Sequence, residues 1–537
     1  MIDREKTIYS KLPFVLASFV VAAFAVWRLC LVTLLSVKDC IPLTTDDAFY
    51  YMNIALNIVN GKGVTFDGIN LTNGFHPLWQ MMLLPLYWLM PDEKVLTMRI
   101  ILVVQLIIYL AAILLITRFV RKRYGYIAVF PALAFFFVSL YSNKFVEGME
   151  TPVQLIILIS IIIYMSVRWC ENSVSIGKDV CLGLMIGLMG LARLETIIFL
   201  VPCCFYILWH NCMHKLGFWN LVIRGCRVGI PAVAMVSPFL IWNMVNFGSF
   251  ATVSSSLKSS FPHLSFSPEL ILRFSQWAIF VLICILYVLV LGLSKWVSFF
   301  KSISGKMTDG YRITILVYSC FVIMHFSLIL LFSRWELAGW YFGFYILIIP
   351  LASGPLLLAV KDVFAKGKLK NVFLPVYSLI IVALFSFAVF MQVFSTRYRL
   401  QGDSHEFYRP AYFAALWARD NTPKTAVFAT TDCGIFGYFS ERSVVELDGI
   451  VNDYEYQEQL IASGLKNYLV SENVSYVREY AGIVPEDYVI HKYGIRSIPN
   501  PEFYDSVTLL REDEVYRSPY FKHGKVQKQQ VIWKFNP

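Results

Sequence analysis

Long apolar runs constrain this chain more than any other feature of its sequence. A helix that crosses the hydrocarbon core of a bilayer needs roughly 20 apolar residues. Runs of this kind lie at 12–37, 95–118, 124–141, 152–169, 228–246, 269–294, 311–333, 338–360 and 372–395. A further run, 179–209, is broken at Ala192-Arg193-Leu194-Glu195 and predicts two short helices. The sequence therefore predicts a polytopic α-helical membrane protein with about 11 transmembrane helices.

The basic residues predict how these helices are oriented. Hydrophobic residues make up 58% of the chain, and the net charge of +10 comes from Lys and Arg between the apolar runs. Every second loop is basic, as in 118–123, 295–306 and 361–370. Such loops are typical of the cytoplasmic side, and a nucleic-acid partner is not indicated. The N-terminus is predicted to be cytoplasmic, and an odd number of crossings places the C-terminus outside.

The composition changes after residue 396. Residues 397–537 are mixed polar and apolar, which predicts a small extracytoplasmic α/β domain beyond a transmembrane domain at 1–396. Helices are predicted near 404–420 and 453–468. Strands are predicted near 426–430, 444–447, 485–489, 506–510 and 527–535. Asp432 and Asp448 stand in turn-forming sequences, and we predict structural roles for them.

The first external loop, 38–94, contains the stretch with the most chemistry. An amphipathic helix is predicted from Asp46, with Ala48, Met52, Ala55, Leu56 and Val59 on its apolar stripe. Its polar stripe carries Asp46, Tyr50, Asn53, Asn57 and Asn60. We interpret it as a helix along a membrane surface, with its polar face toward a cavity, ended by Gly61 and Gly63.

The two adjacent acids at the start of this helix need separate interpretations. Thr44 and Asp47 have the spacing of a capping box, which predicts a capping role for Asp47. Asp46 lies on the polar stripe and is the better candidate for chemistry. The alternative is that both acids only stabilise the positive end of the helix.

Other charged residues fall in the same set of external loops. They are Glu150, Arg193, Glu195, Lys258, Arg334 and Glu336. Isolated charges at helix ends on one membrane face predict a shared polar site. The alternative is that they are ordinary solvated loop residues.

Four motifs in this order resemble the GT-C superfamily of membrane glycosyltransferases. They are Thr45-Asp46-Asp47-Ala48-Phe49-Tyr50-Tyr51, Thr72-Asn73-Gly74-Phe75-His76-Pro77-Leu78-Trp79, Gly148-Met149-Glu150-Thr151 and Leu191-Ala192-Arg193-Leu194-Glu195. The chain is most similar to bacterial relatives of the aminoarabinose, arabinofuranosyl and protein O-mannosyl transferases. It lacks the Trp-Trp-Asp motif of oligosaccharyltransferases, which argues against oligosaccharide transfer to asparagine.

The resemblance implies inverting transfer of a sugar from a polyprenyl-phosphate carrier to an acceptor hydroxyl on a glycan, lipid or protein. Asp46 is the expected general base and Asp47 the second choice, while Glu150 orients Asp46 or binds acceptor. Lys258, Arg193 and Arg334 are expected to bind the donor phosphate.

Substrate contacts are expected from Tyr50, His76, Glu195 and Glu336. Arg193 could instead form an ion pair with Glu195 or Glu150, and His76 could instead pack beside Pro77. No metal ligand is predicted, although a divalent cation near the acids is compatible with the sequence.

The competing prediction is a transporter or lipid flippase of cell-envelope precursors. Such proteins carry internal repeats and mid-membrane charges, whereas here the charges cluster on one face and no repeat is visible. The resemblance favours the enzyme, in a bacterial inner or plasma membrane.

Overall fold

A computed structural model describes residues 2–136, 143–170, 175–265, 268–335, 337–365, 373–400, 408–481, 488–493, 504–523 and 526–536. Its α-helices in these ranges are α1 (Ile2–Leu34), α2 (Val37–Cys40), α3 (Asp46–Val59), α4 (Pro77–Leu89), α5 (Lys94–Tyr124), α6 (Val129–Phe136), α7 (Thr151–Tyr164), α8 (Ile176–Ala192), α9 (Leu200–Met213), α10 (Phe218–Phe247), α11 (Val253–Lys258), α12 (Pro268–Gly292), α13 (Ser298–Gly305), α14 (Asp309–Phe332), α15 (Ile348–Ala365), α16 (Phe373–Leu400), α17 (Tyr408–Asn421), α18 (Gly434–Ser440) and α19 (Tyr454–Ser471). The strands are β1 (Val427–Thr430), β2 (Ser443–Glu446), β3 (Tyr476–Ala481), β4 (Tyr488–Tyr493), β5 (Tyr504–Leu509), β6 (Glu514–Arg517), β7 (Phe521–His523) and β8 (Val526–Lys534).

The membrane region is helical, as the apolar runs predict. Among the described residues, 8 segments are long and apolar enough to cross a membrane. They are Lys94–Tyr124, Thr151–Trp169, Leu194–Met213, Phe218–Phe247, Leu272–Gly292, Asp309–Phe332, Gly343–Phe364 and Pro375–Leu400. The apolar part of α1, Ser18–Leu34, is shorter, and the predicted run 124–141 extends beyond the described residues. A multi-pass membrane protein is confirmed, and the count of 11 crossings stays a prediction.

The predicted break in the run 179–209 is present. Helix α8 ends at Ala192, and a short 3₁₀ helix, Leu194–Phe199, leads into α9. Arg193 adopts an extended backbone between them, with φ of −153°. The break therefore turns a charged side chain away from the helix axis, into the space beside the external loops.

The C-terminal region is an α/β domain. Its main sheet has the order β2-β1-β3-β8-β6, with β7 also paired to β8. Strand β1 is parallel to β2 and β3, whereas β8 is antiparallel to β3, β6 and β7. Strands β4 and β5 form a separate antiparallel pair. The carboxyl ends of β1 and β2 lead into α18 and into the loop 447–453, which both face α3.

Most of the predicted elements of this domain are confirmed, with shifted boundaries. Strands β1, β2, β5 and β8 and helices α17 and α19 lie where they were predicted. The strand predicted at 485–489 is β4, Tyr488–Tyr493, and residues 485–487 lie outside the described residues. Strands β3, β6 and β7 and helix α18 were missed. Gly434 and Gly437 are helical and buried in α18.

This domain packs directly on the first external loop. Phe49 of α3 contacts Tyr438 and Phe439 of α18, with ring centroids 5.5 and 5.6 Å apart. The Tyr438 hydroxyl lies 2.8 Å from that of Tyr87 on α4, and Thr72 donates to the carbonyl of Asn452. Helix α3 is consequently enclosed by protein on both faces, since 11 of its residues are buried.

Candidate active site

A cleft lies where the first external loop, the segment 149–150, helix α11 and the loop 450–451 meet. Its polar lining consists of Asp47, Tyr50, Tyr51, His76, Glu150, Arg193, Ser254 and Lys258. Its other walls are Gly74, Phe75, Met149, Trp340, Tyr341, Ile450 and Val451. The structure thus brings together six of the residues that the sequence singled out, from segments far apart in the chain.

Asp46 does not line this cleft. Its carboxylate accepts hydrogen bonds from the backbone N–H groups of Gly434 at 2.9 Å and Ile435 at 2.8 Å, at the start of α18. The side chain is only 5% exposed. Burial, followed by the charge of Asp432, raises its pKa to about 7. Asp46 therefore holds the C-terminal domain against α3.

Asp47, in contrast, faces the cleft and is half-buried. The capping-box interpretation is wrong, because the N-cap is Thr45 and no side chain caps the helix. Burial raises the pKa of Asp47, and the nearby charge of Lys258 opposes that rise. Among the described residues no other residue donates a hydrogen bond to its carboxylate, which leaves its oxygens available to a bound molecule.

Glu150 is held in a buried network rather than against Asp46. One carboxylate oxygen forms an ion pair with the Arg193 guanidinium, and the other accepts a hydrogen bond from the Tyr51 hydroxyl at 3.1 Å. Arg193 Nε also donates to Glu195 at 2.7 Å. The ion-pair alternative for Arg193 is thus the arrangement present, with both Glu150 and Glu195 as partners. Arg193 still borders the cleft, where its guanidinium stacks 4.2 Å from the Tyr341 ring centroid.

The position of Glu150 depends on close packing of the preceding glycine. Gly148 has φ of +98°, and a Cβ there would lie 2.4 Å from Cβ of Ala48 on α3. Gln105 accepts from the Gly148 N–H at 2.7 Å, and Trp79 donates to its carbonyl. Only glycine allows this conformation without strain at such a close approach. Two residues of the Gly-Met-Glu motif thus have separate roles: the glycine allows the close packing on α3, and the glutamate forms the ion pair with Arg193.

Lys258 stands at the end of α11, the short helix that Thr252 caps by accepting from the Ser255 N–H. Its ammonium lies 5.8 Å from the Tyr341 ring centroid. Burial lowers the pKa of Lys258, but the interactions with Tyr341 and Asp47 outweigh burial and raise it overall. A charged ammonium thus faces Asp47 in the cleft.

Two other predicted residues, Arg334 and Glu195, are absent from the cleft lining. The Arg334 N–H donates to the Lys258 carbonyl at 2.9 Å, but the Arg334 side chain is not part of the cleft lining. Glu195 reaches the site only through Arg193. Glu336 lies outside the described residues.

His76 borders the cleft and precedes Pro77, the first residue of α4. Its N–H donates to the Tyr51 hydroxyl at 3.3 Å, and its Nδ1 is buried without a partner in the described residues. Burial lowers the pKa of its imidazole, so the ring is neutral at pH 7. A neutral imidazole suits hydrogen bonding to a sugar hydroxyl.

Several cleft residues were missed by the sequence analysis. Tyr51 is the last residue of the first motif, but no role was predicted for it. Trp340, Tyr341, Ile450 and Val451 carry no local signal, because they reach the cleft only through the fold. In the described parts of the chain, no group of three or more His, Cys, Asp or Glu side chains is arranged to hold a metal ion.

Similar solved structures identify the fold. ArnT from Cupriavidus metallidurans, bound to undecaprenyl phosphate, matches with a TM-score of 0.51 at 13% identity, over 87% of this chain and 96% of that one. The oligosaccharyltransferase AglB from Archaeoglobus fulgidus, in complex with an inhibitory peptide and a dolichol-phosphate, matches with a TM-score of 0.51 at 13% identity, over 88% and 69%. Both belong to the GT-C superfamily. This chain has the GT-C fold.

Two other comparisons add little to the GT-C assignment. Residues 398–525 match a protein-family model described as "Domain of unknown function (DUF8728)". No curated protein matches the sequence. The GT-C fold that the motifs predicted is confirmed.

Proposed function

We propose that this protein is an inverting glycosyltransferase that uses a polyprenyl-phosphate-linked sugar and an acceptor hydroxyl at the outer face of a membrane. The observation that carries the proposal is the pairing of Asp47 with Lys258 and Arg193 in one cleft of a GT-C fold. Transfer from a phosphate leaving group is favoured by a base that deprotonates the acceptor and by cations that stabilise the departing phosphate. The undecaprenyl phosphate and dolichol-phosphate bound by the two similar structures support the choice of donor.

Asp47 is our candidate for the general base, in place of Asp46. It faces the cleft, and its raised pKa makes the ionised form a stronger base than an ordinary aspartate. A positioned base typically contributes about 10²–10⁴-fold to the rate. The oxygens of Asp46, by comparison, are already occupied by two backbone N–H groups.

Lys258 is our candidate for binding the donor phosphate. Its charge is stabilised within the cleft, and it lies on the same side as Ser254, whose hydroxyl can donate a further hydrogen bond. Arg193 adds positive potential, but Glu150 and Glu195 neutralise much of it. Lys258 therefore supplies the larger share of the charge that a departing phosphate needs.

The proposed step is a single displacement. Asp47 takes the proton of the acceptor hydroxyl, and the oxygen of that hydroxyl forms a bond to the anomeric carbon. The bond from that carbon to the phosphate oxygen breaks on the opposite face, and the electron pair leaves with the phosphate. The configuration at the anomeric carbon is inverted, and the products are a glycosylated acceptor and polyprenyl phosphate.

The proposal is tested by turnover of the full chain in lipid nanodiscs. A panel of polyprenyl-phosphate sugars is offered with extracted envelope lipids and glycans as acceptors, and polyprenyl phosphate is quantified by mass spectrometry. Release of polyprenyl phosphate from one donor, lost in Asp47→Asn, is the expected result. Transmembrane movement of an intact donor without its cleavage would contradict the proposal and favour a flippase.

A further inference from the structure

A second cleft lies on the other side of helix α3 from the candidate active site. We call it the side cleft. Its volume is about 500 Å³, and it runs between the first external loop and the C-terminal domain. The first loop contributes residues from Asn53 to Asp67 and from Pro91 to Val95, and the C-terminal domain contributes residues of α17 and the end of α18. Clefts between domains are frequent binding sites.

One aromatic pair separates the two clefts. Phe66 borders the side cleft and packs edge-on against Tyr50, which lines the candidate active site, with ring centroids 5.2 Å apart. A chain-like molecule in the side cleft would thus lie one side-chain layer from the reacting groups.

Two buried asparagines offer acceptors to this space. Asn53 is 7% exposed and Asn57 is 6% exposed, and both line the side cleft. Their Nδ2 groups donate to the Phe66 carbonyl at 2.7 and 2.9 Å. An amide whose nitrogen is held in this way keeps its oxygen as an acceptor. Fixed acceptors of this kind suit hydroxyl donors.

The charges around the side cleft are balanced. Its basic residues are Lys62, Lys94, Arg419, Lys424 and Arg442, and its acidic residues are Asp67, Asp92, Glu93 and Glu441. Several are engaged by the protein itself, since Arg442 donates to the carbonyls of Arg419 and Thr422 and Asp67 accepts from the Ile69 and Asn70 N–H groups. A strongly charged ligand would gain little net attraction here.

An aromatic surface completes the side cleft. Tyr412 of α17 and Phe439 of α18 both line it and pack edge-to-face, with centroids 4.9 Å apart. Tyr412 is partly exposed, whereas Phe439 is buried behind it. An aromatic ring beside fixed hydrogen-bond acceptors matches a ligand with apolar C–H faces and many hydroxyls.

From these observations we propose that the side cleft binds an oligosaccharide of low net charge, as the non-reacting part of the acceptor. The proposal rests on the proposed function for the identification with an acceptor. The binding itself does not require transfer, and it can be measured separately.

The test uses the full chain in nanodiscs carrying Asp47→Asn, so that turnover does not complicate binding. The probes are maltopentaose and chitopentaose as neutral oligosaccharides and a sulfated heparin pentasaccharide as a polyanion. Saturation-transfer NMR gives the affinities, and hydrogen exchange locates the contact. We expect a neutral probe to bind and to slow exchange in 408–421 and 60–67.

Two neighbouring residues of α17 provide matched variants. Tyr412→Leu removes a ring that lines the side cleft and is expected to weaken binding by about tenfold. Phe413→Leu removes an equally large ring that is exposed and lies outside the cleft, and it should leave the affinity unchanged. Equal effects of the two variants, preference for the sulfated probe, or absence of neutral binding would each overturn the inference.

These outcomes are separable from the proposed function. If the wild-type chain binds a neutral oligosaccharide but releases no polyprenyl phosphate, the inference about the side cleft stands and the proposed transferase function is contradicted. If the chain transfers sugar but its side cleft binds no oligosaccharide, the proposed function stands and the inference about the side cleft is contradicted.

Discussion

The first turn of α3 joins two regions with opposite surroundings. Asp46 points into the domain interface, where two backbone N–H groups bind its buried carboxylate. Asp47 points into the cleft, where it faces Lys258 and no other residue donates to it among the described residues. Successive helical residues project about 100° apart, so an acidic pair can serve two neighbouring regions. The comparison shows that two adjacent acids of one motif can have different surroundings.

The largest expected difference between the two regions is in the rate of transfer. Asp47→Asn removes the proposed base and should lower kcat by about 10²–10⁴-fold. Asp46→Asn replaces one acceptor oxygen with a donor and should destabilise domain docking by about 1.5–3 kcal/mol, with a smaller loss of kcat. The measurement is polyprenyl phosphate release, with melting temperature measured on the same preparations.

The reverse pattern would contradict the assignment of the base to Asp47. An inactive Asp46→Asn with an unchanged melting temperature, beside an active Asp47→Asn, would return the catalytic role to Asp46. The prediction from the sequence would then stand and the assignment from the geometry would fall.

The sequence predicted the helical membrane region and the α/β domain because both depend on local patterns. Apolar runs of spanning length and alternating strand residues can be read directly. Helix α3 was predicted to start at Asp46 and to end before Gly61, and it does both. The broken hairpin at Arg193 was likewise predicted from two charges inside an apolar run.

The role of each acid could not be predicted, because it depends on the C-terminal domain. The polar stripe was expected to face a cavity, and Asn53 and Asn57 do line the side cleft. Asp46 instead binds the two backbone N–H groups at the start of α18. The contact between Asp46 and Gly434 spans 388 positions, and no local periodicity encodes it. Tyr341 reaches the candidate active site for the same nonlocal reason.

A steric change at the interface should have the next largest effect. A Cβ on Gly434 would lie 2.1 Å from the Asp46 carbonyl oxygen, so the backbone of Gly434→Ala must move away from α3. We expect a loss of about 3 kcal/mol in the free energy of unfolding. Gly225→Ala is the control, since a Cβ there meets no atom within 4 Å. Thermal unfolding in nanodiscs measures both, and equal stability would show that the interface near Asp46 is loosely packed.

The free energy of unfolding should also depend on pH through Asp46. Its pKa is raised to about 7 by burial and by Asp432, above an unfolded value of about 3.9. The protonated form therefore contributes stability that is complete below about pH 4 and is lost as pH rises to about 7, on the order of 4 kcal/mol. Melting temperatures of wild type and Asp46→Asn give the effect as their difference. A constant difference between pH 4 and 7 would show that Asp46 is ionised throughout.

The smallest expected effect is on the donor KM, through Lys258, the cation that faces Asp47. Lys258→Met removes the charge and keeps much of the side-chain volume, so the apparent donor KM should rise by about tenfold. Lys258→Arg should restore part of the affinity, because it restores the charge. Lys301→Met, on the exposed surface of α13, is the control for loss of a lysine.

The same variant also tests which acid is the base. The charge of Lys258 lowers the pKa of Asp47, so its removal should raise that pKa and move the acidic limb of the kcat/KM profile to higher pH. Lys258 is absent from the charges that act on Asp46, and a base at Asp46 would keep its acidic limb in place. A raised donor KM with an unmoved limb would therefore keep Lys258 as a phosphate ligand and move the base away from Asp47. An unchanged KM with a shifted limb would keep Asp47 as the base and leave the phosphate to Arg193 and Ser254.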